Sequence, residues 1–284
     1  MNANENANPP LLEVTDLVVE YGTGRQRNRA VDTVSLQIHP GETLGLVGES
    51  GSGKSTIGQA ILGLVPTTSG SIHYDGRQIA GVGRRARRGL TGELQVIFQD
   101  PYSSLDPTKT IGYTLREPLR VHRPHERQSH SASIEAMLTR VGLNADAASR
   151  YPSQFSGGQR QRIAIARALI VSPRLVICDE PVSALDLSIQ AEVMNLMAEL
   201  QRELALSYLF ISHDLSVVRH ISDRVVVLKG GQIMEQGDAT QIYESAQHPY
   251  TRALLAAAPV PDPDEQRARN QARLRAAAAQ PTQV

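Results

Sequence analysis

One octapeptide constrains this chain more than any other feature. Gly48-Glu49-Ser50-Gly51-Ser52-Gly53-Lys54-Ser55 fits G-x-x-x-x-G-K-[ST]. It stands between the glycine-closed apolar run Gly41–Gly48 and a stretch with Ile57, Ile61 and Leu64 at helical spacing. The reading is a buried strand, a glycine-rich turn and a helix. In such a turn the glycines let the backbone wrap around a polyphosphate with its N–H groups pointing inward. Lys54 then reaches the β- and γ-phosphates, Ser55 offers a hydroxyl to Mg²⁺, and Thr56 follows at the positive end of the helix. A strand–loop–helix unit of this kind belongs in an α/β chain.

The flanking sequence agrees. LLEVTDLVVEY, TVSLQIHP and SIHYDG read as strands, the last ending in an Asp75-Gly76 turn. From about Leu105 to Val171 the texture becomes helical, with short helices expected to break at Pro118 and Pro124, then a run from Gln159 to Ile170. RLVICDE, SYLFISH and RVVVLKGG resume the strand pattern. The helix from about Leu187 carries a core stripe of Ile189, Val193, Leu196, Leu200 and Leu204. Strands alternating with helices imply a largely parallel sheet. The expected organisation is a disordered tail over 1–10, a nucleotide-binding core over 11–104 and 172–237, a helical subdomain over 105–171, and an extension over 238–284. From Pro259 that extension is a solvated helix or a disordered tail.

Composition excludes several classes. Lys plus Arg and Asp plus Glu both number 29, so the chain lacks the basic surplus that phosphate neutralisation demands, and no nucleic-acid partner is expected. The single cysteine, Cys178, excludes an internal disulfide and thiolate clusters, and reads as a small buried apolar group. The N-terminal segment lacks the positive charge of a signal peptide, and no run reaches the roughly 18 to 20 apolar residues of a membrane span. A soluble protein on the cytoplasmic side is expected, with any membrane part on other chains. His73, His122, His125 and His130 make no metal-ligand pattern, and Arg84, Arg85, Arg87 and Arg88 read as a solvated basic face.

A second chemical element is Leu175-Val176-Ile177-Cys178-Asp179-Glu180, an apolar strand ending in two acids. Asp179 is placed to hold Mg²⁺, and Glu180 to polarise a water for in-line attack on the γ-phosphate.

Between these two motifs, Phe155-Ser156-Gly157-Gly158-Gln159 resembles the signature of ATP-binding cassette (ABC) ATPases, with Phe155 where leucine is usual. The order of the other pieces matches that family over residues 11–235. The resemblance implies a P-loop NTPase (RecA-like) α/β core with an N-terminal antiparallel β subdomain and an inserted α-helical ABC subdomain. It makes Tyr21 the aromatic that stacks on adenine, and Gln99 the glutamine joining the Mg²⁺ site to the helical subdomain. Ser183–Asp186 becomes the loop meeting the other monomer, and His213 the histidine contacting the γ-phosphate. It also implies a two-chain sandwich, in which Ser156, Gly157, Gly158 and Gln159 of one monomer face the γ-phosphate held by the other.

Two further stretches, FQDPYSSLDP (98–107) and HPYTRALLAAAPVPDP (248–263), resemble ATPases of oligopeptide/dipeptide-type importers, a group that also serves nickel. That resemblance implies two membrane-spanning permease subunits, a second ABC ATPase chain in a heterodimer rather than a homodimer, and an extracytoplasmic solute-binding protein. The activity expected is ATP hydrolysis with Mg²⁺, coupled to uptake of peptides or a related small solute. Two alternatives compete: a soluble ABC ATPase without a membrane partner, and a non-hydrolysing nucleotide-dependent scaffold. The first generally needs paired cassettes or a long coiled-coil insertion; the second would lack Glu180 or His213.

Overall fold

A computed structural model describes residues 9–22, 27–100 and 104–257. Residues 1–8 of the tail expected over 1–10, and the chain from 258 onward, lie outside these described residues. Strands β1 (Leu12–Tyr21) and β2 (Asn28–Ile38) come first, followed by the unit β3 (Thr43–Gly48) and α1 (Lys54–Leu62). Strands β4 (Ser69–Tyr74) and β5 (Arg77–Gln78), helix α2 (Arg84–Arg88) and strand β6 (Leu94–Ile97) lead to three helices: α3 (Ile111–His122), α4 (His130–Arg140) and α5 (Gly157–Leu169). Then come β7 (Leu175–Asp179), α6 (Leu187–Leu204), β8 (Ser207–Ser212), α7 (Leu215–Ile221) and β9 (Arg224–Lys229). The described chain closes with β10 (Gln232–Asp238), α8 (Ala239–Ser245) and α9 (Pro249–Ala257).

Two sheets result. One is antiparallel, in the order β2-β1-β4-β5; the other has six strands, in the order β10-β9-β3-β8-β7-β6. Every pairing in the second is parallel except that of β10 with β9. Parallel strands are buried on both faces, which explains why β3, β8 and most of β7 and β9 read as unbroken apolar runs rather than alternations. Successive residues still serve different cores. Val47, Val176, Cys178, Tyr208, Phe210, Val225 and Val227 join the apolar cluster that includes α3, α4, α5 and α6. Their neighbours Leu44, Leu46, Leu175, Ile177, Leu209, Ile211, Val226 and Leu228 join α1 and the antiparallel sheet.

Pro118 does not break the helical region: it lies inside α3. An interior proline costs about 3 kcal/mol. Ile111, Leu115 and Leu119 of the same helix are each 0 % exposed, and full burial contributes roughly 1.5–3 kcal/mol per side chain, so packing wins. The helix does end at His122, and Arg123, which precedes Pro124, has left the helical region at φ −129°, ψ 54°. Nor does α1 reach Leu64. Gly63 turns left-handed at φ 70°, with N–H bonds from Gly63 to Ala60 and from Leu64 to Gln59, and leaves Leu64 61 % exposed. Arg87 also departs from the expected solvated face, donating to the carbonyls of Ile61 (2.9 Å) and Ile79 (2.7 Å) and so tying α2 to the end of α1.

The sheet and α7 touch closely. A Cβ on Gly45 would stand 2.3 Å from Val218 Cγ1 and 2.6 Å from Ser222 Oγ. Gly45→Ala is expected to lower stability by about 1–3 kcal/mol through overpacking. Urea unfolding should show a lower midpoint at unchanged slope.

Candidate functional site

The chemistry gathers where the parallel strands end. From β3 the chain runs into the phosphate loop, from β8 into His213, from β7 into Asp179 and Glu180, and from β6 towards Gln99. The register pairs Val47 with Ser212 and Asp179 with Ile211, so β3, β8 and β7 finish side by side. A cavity of about 620 Å³ opens there. Its walls are the whole loop from Gly48 to Thr56 together with Gln99, Glu180 and His213, plus Ala30 and Leu254.

Inside it the loop is held in shape. Lys54 Nζ donates to the carbonyls of Gly48 and Glu49, each at 2.8 Å, and lies 3.4 Å from Ser52 Oγ. Gly53 has φ +100°, and a Cβ there would sit 2.3 Å from the Ala30 carbonyl; Gly48 has φ +155°, and its Cβ would meet the Leu228 carbonyl at 2.2 Å. Only glycine fits either place. Gly231 donates its N–H to the Ser52 carbonyl at 3.0 Å, fastening the loop to the β9–β10 turn.

Ser55 Oγ donates to Asp179 Oδ1 at 2.8 Å. Burial raises the Asp179 carboxyl above its ordinary range, an effect partly offset by this hydrogen bond. Burial likewise lowers the Lys54 ammonium, while the Glu180 and Asp179 charges pull it back. A hydroxyl beside a carboxylate, both oxygen donors, fits Mg²⁺, which retains waters and phosphate oxygens as further ligands. Glu180 adopts φ 50°, rare outside glycine. Its N–H donates to Ile211, and its carbonyl accepts from Ser183 N and Ser183 Oγ. His213 Nδ1 lies 3.0 Å from Glu180 Oε1.

Lys54, Ser55, Thr56, Gln99, Glu180 and His213 therefore meet in one cavity with Gly48, Glu49, Ser50, Gly51, Ser52 and Gly53, and Asp179 joins them through Ser55. Tyr21, Ser156, Gly157, Gly158, Gln159 and Asp186 do not line it. Tyr21 ends β1 and is 40 % exposed. Ser156 caps α5 reciprocally with Gln159, each side chain accepting the other's backbone N–H. Gly158 is buried, and its Cβ would meet Ile189 Cγ2 at 2.4 Å, so the α5–α6 contact itself needs glycine. Phe155 is buried under the Arg150 guanidinium, 4.3 Å from the ring centroid. Asp186 caps α6 through the Ile189 N–H at 3.0 Å, the bond that chiefly holds its carboxyl below the ordinary range.

Two cavity residues escaped the sequence reading. Ala30 carries no chemical signal. Leu254 lies in the HPYTRALL stretch, which read only as a subfamily marker. Among the described residues no group of three or more His, Cys, Asp and Glu side chains could hold a metal, and no helix is long and apolar enough to cross a membrane.

Residues 31–183 match the family described as ABC transporter, and residues 234–282 match the oligopeptide/dipeptide transporter C-terminal region. Over 274 residues the chain is 50 % identical to the oligopeptide transport ATP-binding protein OppF of Escherichia coli, covering 93 % of this chain and 82 % of that protein. It is also 50 % identical to the glutathione import ATP-binding protein GsiA of Pectobacterium atrosepticum, covering 89 % of this chain but only 42 % of that longer protein. A solved structure of a dimeric ATP-binding cassette in a post-hydrolysis state, bound to ADP and Pi, superposes with a TM-score of 0.72 at 28 % identity. That match covers 80 % of this chain and 98 % of the other.

Two loop glycines, one tight and one open, make a contrast. Gly53→Ala combines positive φ with a backbone clash and should lower stability by about 1–3 kcal/mol. Gly51 has φ +78° but open space around its Cβ, so Gly51→Ala should cost about 1 kcal/mol. Paired thermal melts check the order.

Proposed function

We propose a role for a chain that belongs to the ABC transporter family and carries the C-terminal region of oligopeptide/dipeptide transporters. It is the ATP-hydrolysing subunit of an importer, coupling ATP binding and hydrolysis to uptake of peptides or a related small solute through separate membrane-spanning subunits. The observation that carries this reading is the convergence of the phosphate loop, Asp179, Glu180 and His213 on one cavity, in a chain half identical to OppF over nearly its full length.

The geometry supports a division of labour. The loop N–H groups and Lys54 bind the β- and γ-phosphates, with Lys54 exchanging its loop carbonyls for phosphate oxygens. Ser55, Asp179 and Gln99 would hold Mg²⁺, which supplies charge neutralisation across the phosphates. The Glu180 carboxylate orients and polarises the attacking water. His213, already against Glu180, contacts the γ-phosphate and fixes the direction of that carboxylate. Tyr21 offers its exposed ring to adenine. Ser156, Gly157, Gly158 and Gln159, at the N-terminus of α5, close over the nucleotide of a second ATPase chain, and Asp186 meets that chain across the interface. The resemblance supports a heterodimer with another ABC ATPase chain and, in the full complex, an extracytoplasmic solute-binding protein. A peripheral position on the cytoplasmic side of the membrane accords with these partners.

The domain division follows the same logic. Residues 11–104 and 172–237 form the nucleotide-binding core, 105–171 the helical signature subdomain, and 238–284 the importer-type extension.

Two measurements test the reading. Glu180→Gln should cut steady-state phosphate release by at least about 100-fold. Equilibrium ATP binding should stay within about twofold, because the phosphate cradle is untouched. Normal turnover in that variant would remove Glu180 from its role. Separately, the chain should co-purify with membrane-spanning subunits, and in the reconstituted complex a peptide-class solute with its binding protein should stimulate ATP turnover. A chain that hydrolyses ATP but captures no membrane subunit would favour the soluble alternative.

A further inference from the structure

Helix α9 belongs to the C-terminal extension, yet it reaches the catalytic cavity. His248-Pro249-Tyr250 builds the approach. The Glu235 carboxylate of β10 accepts the N–H groups of Gln247 (2.7 Å) and His248 (3.1 Å), and His248 Nδ1 accepts the Tyr250 N–H at 3.1 Å. Pro249 starts the helix, where its missing N–H costs nothing. Thr251, 0 % exposed, turns its hydroxyl towards Glu235.

These contacts aim two side chains at the phosphate loop. The Lys229 ammonium lies 4.5 Å from the centroid of the Tyr250 ring, holding the ring by a cation–π contact at the end of β9. The Tyr250 hydroxyl is sealed from solvent, with the Glu49 backbone and side chain as its neighbouring hydrogen-bonding groups. Glu49 is the residue whose carbonyl holds Lys54. One turn further along, Leu254 forms part of the cavity wall and packs on the large apolar cluster.

We infer that α9 is a positioning element of the nucleotide site: Tyr250 biases the phosphate loop through Glu49 towards its nucleotide-holding shape, and Leu254 supplies an apolar wall against the bound nucleotide. The inference rests on the reading of the cavity as an ATP site. It makes the C-terminal extension part of the ATPase machinery rather than an appendage.

The test uses the full-length chain, titrated with methylanthraniloyl-ATP and Mg²⁺, and the assembled complex for turnover. Tyr250→Phe keeps the ring on Lys229 and removes only the hydroxyl. It should weaken nucleotide binding by about fivefold, the worth of one hydrogen bond. Its KM for ATP should rise in parallel, with kcat within about twofold. Leu254→Ala should weaken binding by about five- to tenfold. Leu254→Met, which refills the wall, should restore it to within about twofold. Native affinity and native KM in both Tyr250→Phe and Leu254→Ala would overturn the inference. So would losses no larger than the unfolded fraction of each variant explains. Failure of the ATP reading itself would look different: the unmodified chain would show no saturable nucleotide binding.

Discussion

A hydrogen bond of 2.8 Å joins Ser55 to Asp179, two residues separated by 124 positions. It exists only because β8 holds β3 and β7 in parallel register, one strand apart on either side. Displace any of the three by one residue and the hydroxyl and carboxylate no longer meet. The bond therefore serves as the local sign of a global arrangement, in which the carboxyl ends of adjacent parallel strands are brought to one level. Lys54, Glu180, His213 and Gln99 inherit their positions from the same alignment.

That arrangement is assembled against electrostatic preference. An ammonium and a carboxylate are both taken from water, and burial disfavours the charged form of each. The positive φ at Glu180 adds conformational strain. What offsets these costs is the pair of apolar layers flanking the sheet, where valine, leucine and isoleucine side chains are almost wholly removed from solvent. Strain and desolvation thus collect at the rim of the sheet, and cohesion in its interior.

Much of this was legible in the sequence. The bounds of β3, the start of α6 and the parallel character of the sheet follow from unbroken apolar runs alternating with helical periodicity. The phosphate loop and the two acids announce themselves because their chemistry needs those residue types in that order. Three features were not legible. Pro118 hides inside a helix because burial of Ile111, Leu115 and Leu119 outweighs a local rule. Arg87 leaves its basic neighbours to satisfy two carbonyls 26 and 8 residues away, a contact no local pattern encodes. Leu254 enters the cavity only through the path of the chain around Glu235, and an ordinary leucine gives no sign of such an excursion.

The shared sheet has one more consequence. Each central strand presents odd residues to one core and even residues to the other, so a single-residue insertion or deletion within β7 would exchange Cys178 with Ile177 and invert both layers at once. Length variation among proteins built this way must accumulate in the connections beyond the strand ends. The segments that reach the rim from outside, as α9 does, have that freedom of length.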